Sequence, residues 1–107
     1  MSLEDWIIGT IESEGSFVVI THKNGKRYPS FNLGNTDESM IRILANFFQF
    51  GKVYTYEPQK PNWSKSYHFA VWKREDLKKL RKFCKGRLRT DFKKRDLAKW
   101  DEFLYLK

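Results

Sequence analysis

The chain has one cysteine, Cys84, among 107 residues. No disulfide can close within it, which excludes a bridge-stapled scaffold and suits a reducing compartment. No apolar run approaches the roughly 18 residues of a membrane span. A basic segment followed by an apolar one is missing from the N-terminus, so no signal peptide is read, and an intracellular setting (cytoplasm or organelle) is expected. No segment repeats another and no linker divides the chain, so one domain over residues 1–107 is expected. Acidic side chains are in the minority, 13 against 21 lysines and arginines, for a net charge of +8. What is plentiful is apolar and aromatic: 40% hydrophobic and 17% aromatic residues, enough for a packed core and too many for a disordered chain.

The basic excess is concentrated. Residues 73–99 hold thirteen basic and four acidic side chains, a local net of +9, which accounts for the whole imbalance. Such a field favours polyanions, nucleic acid above all, although solvated helix faces in a basic protein would read the same way.

Hydrophobic periodicity divides the chain into alternating helices and strands. Ser2, with Asp5 three residues on, opens a first helix over Leu3–Glu14. Leu3, Ile7 and Ile11 form its core stripe, and Trp6, Gly9, Thr10 and Ser13 a second, small-residue stripe beside it. Ser16 to His22 alternates as a strand, Asn24-Gly25 is a hairpin turn, and Arg27 to Leu33 returns. Pro29 places the returning strand near an edge or a bulge. Asn35 or Thr36 caps a second helix, which ends near Gly51. Strands follow at Lys52–Glu57 and Ser66–Trp72, a helix at Arg74–Cys84, and a last helix over about Lys94–Leu104 with Leu97, Trp100 and Leu104 inward.

The first helix carries the most specific signal. It reads Ile7-Ile8-Gly9-Thr10-Ile11-Glu12-Ser13-Glu14-Gly15, followed by Ser16-Phe17. Gly9 and Ser13 lie four residues apart on one face, where small side chains let a second helix approach closely. Glu14 is delivered to the last turn. Glu12 and Glu14 are about 200° apart and face opposite ways, which leaves Glu12 a structural part. The nine residues resemble the LAGLIDADG motif of homing endonucleases: small residues at the third and seventh positions, the acid at the eighth, the glycine at the ninth. The order αββαββα plus a further helix is similar to that family's domain, as are Pro29-Ser30-Phe31-Asn32-Leu33, Phe47-Phe48 with Gly51-Lys52-Val53-Tyr54, and the basic segment before the last helix.

The resemblance implies an α+β fold with a four-stranded antiparallel saddle sheet and an extra C-terminal helix. It implies a homodimeric, divalent-metal-dependent endonuclease that cuts double-stranded DNA at a long, nearly palindromic site. The dimer would join through Trp6, Gly9, Thr10 and Ser13. Glu14 would be catalytic and bind the metal, magnesium or another divalent cation. Asn35 falls where an amide positions water, in competition with its reading as a helix cap. A usually basic position falls on Ser39, with Arg42 one turn on as a possible substitute. A lysine before the last helix falls on Lys93, with Lys94 as the alternative. DNA would lie on the open sheet face, contacted by Ile20, His22, Tyr28 or Arg27, Ser30, Asn32, Lys52, Tyr54, Tyr56, Ser66 and His68. Asn24, Lys26 and Arg27 would sit at the hairpin tip, and the C-terminal basic run would contribute affinity through phosphates. Two alternatives stand beside this: a non-cleaving DNA-binding protein or RNA maturase on the same fold, and a small basic RNA-binding protein.

Overall fold

The computed structural model describes residues 2–62 and 64–104. The elements run α1 (Leu3–Glu14), β1 (Gly15–Thr21), β2 (Arg27–Asn35), α2 (Glu38–Phe48), β3 (Lys52–Tyr56), β4 (Ser66–Val71), α3 (Arg74–Cys84), α4 (Asp91–Ala98) and α5 (Asp101–Leu104). The strands form one antiparallel sheet in the order β1-β2-β4-β3. One face carries Phe17, Phe31, Leu33, Phe69 and Val71, all buried, and every helix packs against it. The other face is open. This is the expected αββαββα arrangement with additional C-terminal helix.

α1 begins where the capping pattern places it, with the Ser2 hydroxyl accepting from the Asp5 N–H at 3.1 Å. Ile7 and Ile11 are fully buried, but Leu3 is 53% exposed and leaves the core stripe. Thr10 also departs from expectation. It is buried within the protomer, its hydroxyl donating to the Trp6 carbonyl at 2.8 Å, whereas Gly9 and Ser13 face outward. Gly15 leads straight into β1 with φ −80° and ψ 153°, so it does not use the left-handed freedom of a glycine cap. Glycine is needed for space: a Cβ would stand 2.8 Å from the Ile11 carbonyl oxygen and 2.9 Å from the Phe31 ring.

β2 is interior in the strand order, and the edge or bulge expected at Pro29 is a local edge. Its pairing with β4 starts only at Phe31, so Pro29 lies on the stretch that has β1 alone as neighbour and needs no second ladder. α2 is capped by Asp37, not Asn35 or Thr36. The Asp37 carboxylate accepts from the Ser39 N–H at 3.0 Å and from its hydroxyl at 2.5 Å, which holds that acid below its ordinary pKa. Asn35 instead turns the chain into the cap, accepting from the Asp37 N–H at 2.9 Å. The single last helix becomes two. α4 starts three residues early because Thr90 caps it, and the chain turns at Lys99-Trp100, where the buried Trp100 indole donates to the Val18 carbonyl at 3.1 Å and meets Phe17 edge-on.

Candidate functional site

α1 and β1 meet without a loop, which fixes Glu14 at the helix C-terminus against one end of the sheet. Its carboxylate is exposed and, among the described residues, has no hydrogen-bond or ion-pair partner. Two positions earlier, Glu12 is fully engaged. It accepts from the Arg89 N–H at 2.6 Å, the Thr90 hydroxyl at 2.6 Å and the Thr90 N–H at 3.4 Å. Burial raises the Glu12 pKa, but these bonds and the nearby Lys93 charge outweigh it and hold the carboxylate below its usual value. The two acids have separate roles, as their opposite facing requires.

Thr90 passes this anchoring on. It caps α4, accepting from the Lys93 N–H at 3.4 Å, and the Lys93 ammonium donates to the Gly15 carbonyl. A cation thus sits at the negative end of α1, where a bare carboxylate would be disfavoured. Lys94 points elsewhere, lining a cavity of about 260 Å³ with Arg81, Leu97 and Asp101. The structure therefore brings Lys93, and not Lys94, to the motif terminus. Asn35 stands at the same end of the sheet, two residues past the Gly15–Leu33 pair, its side-chain oxygen occupied by Asp37. The usually basic position holds Ser39, committed to the helix cap, and Arg42 pairs with Glu38 at 3.2 Å. Among the described residues no three His, Cys, Asp or Glu side chains converge to hold a metal ion.

The open face has the register expected from alternation. Ser16, Val18 and Ile20 pair with Asn32, Ser30 and Tyr28, while Lys52, Tyr54 and Tyr56 pair with Ala70, His68 and Ser66. The choice between Tyr28 and Arg27 falls on Tyr28. Arg27 pairs with Thr21 on the helix side and lies over the Phe103 ring at 5.4 Å, so it does not belong to the open-face set. At its centre, His68 Nδ1 is 3.0 Å from the Asn32 side-chain oxygen and Nε2 is 3.4 Å from the Ser66 hydroxyl. The Tyr56 ring meets His68 at 4.6 Å, and Gly34 leaves the room: a Cβ there would stand 2.5 Å from the imidazole. At the hairpin tip Gly25 has φ +83°, and the Asn24 side chain accepts from the Lys26 N–H at 2.9 Å, so its oxygen holds the turn. His22 lies edge-on to Tyr28 at 4.8 Å. Trp72, beside Tyr54 and under the Lys52 ammonium at 5.6 Å, joins this region; its alternation with Ser66 and His68 was a signal the sequence reading left unused. The basic run on α3 and α4 lies in the helical layer behind the sheet, so the charge excess is not on the open face.

An uncovered antiparallel sheet, joined without a loop to a helix that ends in an unpaired acid, defines the class of domain. The chain belongs to the LAGLIDADG endonuclease family, whose model matches residues 7–104. Among solved structures, the homing endonuclease I-TnaI is similar at 29% identity and a TM-score of 0.76, covering 97% of this chain and 73% of that one. The archaeal intron-encoded homing endonuclease I-Vdi141I, complexed with DNA, matches at 22% identity and 0.73, over 94% of this chain and 65% of that one. The meganuclease I-AabMI, bound to uncleaved DNA, shares the fold at 24% identity and 0.72; this chain is covered over 97% but spans only 38% of that protein. A comparison with curated proteins gave no match. Among the described residues no helix is long and apolar enough to cross a membrane.

Proposed function

We propose that this chain is a site-specific DNA endonuclease that works as a homodimer, with Glu14 as the metal-binding acid. The observation that carries the reading is the division of labour in the motif: Glu12 is consumed by structure and Glu14 is left unpaired at the helix end. An exposed carboxylate with no protein partner suits a hard divalent cation such as magnesium. One acid is too few for a protein-held site, so a second copy would contribute its own. Gly9 supports that assembly. A Cβ at Gly9 would meet nothing within 4 Å in the protomer, so no contact inside the chain requires glycine there, whereas a close helix partner would. When bound, the cation would activate water and stabilise the oxygens of the phosphodiester under attack.

The chain's own residues supply the rest. Lys93, anchored on the Gly15 carbonyl, places a positive charge at the end of α1 where a scissile phosphate would lie. Asn35 can still offer its amide N–H groups to a water, since only its oxygen is used by the turn. The open face would lay a twisted antiparallel sheet along the major groove, with Ser30, Asn32, Ser66 and His68 as its hydrogen-bonding set and Lys52, Tyr54 and Tyr56 at the β3 edge.

A second reading, a DNA-binding domain on the same fold that does not cut, draws on Ser39 and Arg42, both committed within α2. Magnesium-dependent nicking of DNA separates the two. The wild-type chain should cut, and Glu14→Gln should reduce the rate about 100-fold or more while retaining binding, because several kcal/mol of charge stabilisation are removed without a change of shape. Cleavage by the variant within about tenfold of wild type, a difference of only about 1.4 kcal/mol, would refute the role of Glu14.

A further inference from the structure

The open face is chemically divided. Its β2–β4 centre is polar, built on Asn32, His68 and Ser66. Its β1 row is not. Val18 is 38% exposed and Ile20 is 47% exposed, and neither offers a hydrogen bond. Both point away from the core, which β1 fills from its other side with Phe17. Strand propensity does not require aliphatic residues here, because threonine keeps the same branching and is soluble.

In a major groove the apolar feature at base edges is the C5 methyl group of thymine. Two residues along a strand span about 6.6 Å, close to two base-pair steps of about 3.4 Å. Val18 and Ile20 are therefore spaced to meet two pyrimidines about two positions apart. Beyond them Lys23 and Lys26 place cations at the hairpin tip, which favours a nucleic acid as occupant over an apolar protein surface. We infer that the β1 row reads 5-methylpyrimidines, so that each half-site carries thymine beneath Ile20 and Val18. The inference rests on the DNA-binding reading above and adds to it the chemistry of the bases chosen.

The test starts from a site selected by the full-length wild-type protein from a randomised duplex library, in EDTA so that DNA is bound and not cut. Each thymine in the selected site is then replaced singly by deoxyuridine, which deletes only the methyl group. Affinity should fall about fourfold at one or two positions per half-site, the value of one buried carbon group, and stay level elsewhere. Ile20→Ser should erase the penalty at one position and Val18→Ser at the other, leaving the remaining base preferences in place, because serine has no methyl group to meet the base. At the same positions 5-methylcytosine paired with guanine should bind better than cytosine does. A selected site whose affinity is indifferent to deoxyuridine everywhere, or penalties that persist in both serine variants, overturns the inference while leaving DNA recognition standing. Failure to select any site overturns the DNA-binding reading itself.

Discussion

Glu12→Gln isolates the contact that ties the motif helix to the start of α4. The change preserves shape but replaces one carboxylate oxygen with an N–H donor facing other donors. Three hydrogen bonds to a single carboxylate are at stake, from the Arg89 N–H, the Thr90 hydroxyl and the Thr90 N–H. Such bonds contribute about 1.5–3 kcal/mol each when enclosed. This cluster faces solvent, and screening reduces the three together to about 2 kcal/mol. For a domain of this size the thermal midpoint should drop by about 8–16 °C at pH 7. The pH dependence has a fixed sign. The folded pKa of Glu12 lies below the usual 4.5, so its stabilisation is complete above 4.5 and is lost as pH falls through the folded value. The gap between wild type and Glu12→Gln should therefore be widest at neutral pH and close in acid. Calorimetric or circular-dichroism melts from pH 3 to 7 measure it. A shift of less than about 2 °C at pH 7 would refute the anchoring role. Because Thr90 also caps the helix that carries Lys93, the variant should lose cleavage rate more than DNA affinity.

Gly9→Leu should leave the protomer folded, since the site is open within it, yet convert a dimer to the 12.9 kDa monomer in sedimentation; a variant that remains dimeric would remove α1 from the interface. Cys84 is buried, which pushes its thiol up to about 12, so at pH 8 it should resist thiol reagents until the protein unfolds; rapid labelling of the native state would contradict the packing of α3.

What the sequence disclosed was the part governed by short-range rules. Period-two alternation assigned Ser16, Val18, Ile20, Ser30, Asn32, Tyr54, Tyr56, Ser66 and His68 to one face, and pairing bore each of them out. The Asn24-Gly25 turn and the Ser2 cap are equally local. Strand order was not legible, because alternation says which face a side chain takes but not which strand lies beside it; Pro29 marks a stretch of β2 with β1 alone beside it, and nothing in the chain showed that the strand turns interior from Phe31 on. Arg27 and Tyr28 were inseparable until the register was known. The cap of α2 went to Asp37 because three polar residues in a row compete there and only backbone geometry chooses among them. The partners of Glu12 lie 77 and 78 residues away, a distance over which no pattern in the chain points from one to the other. Lys93 was the first choice over Lys94 from the family resemblance alone, but its contact with the Gly15 carbonyl, 78 residues away, was not legible.

The direct join between α1 and β1 has a consequence for how such a protein changes its target. Gly15 is at once the last acceptor-bonded residue of the helix and the first rung of the sheet, so no hinge separates Glu14 from the residues that follow it. Each open-face side chain on β1 stands a set number of strand steps from the acid, about 3.3 Å apiece. The strand is a ruler with its zero mark at Glu14. On the DNA-binding reading proposed above, substituting Val18 or Ile20 would rewrite a symbol on that ruler without moving the zero. New targets would be reached one base pair at a time, with the position of the cut carried along unchanged.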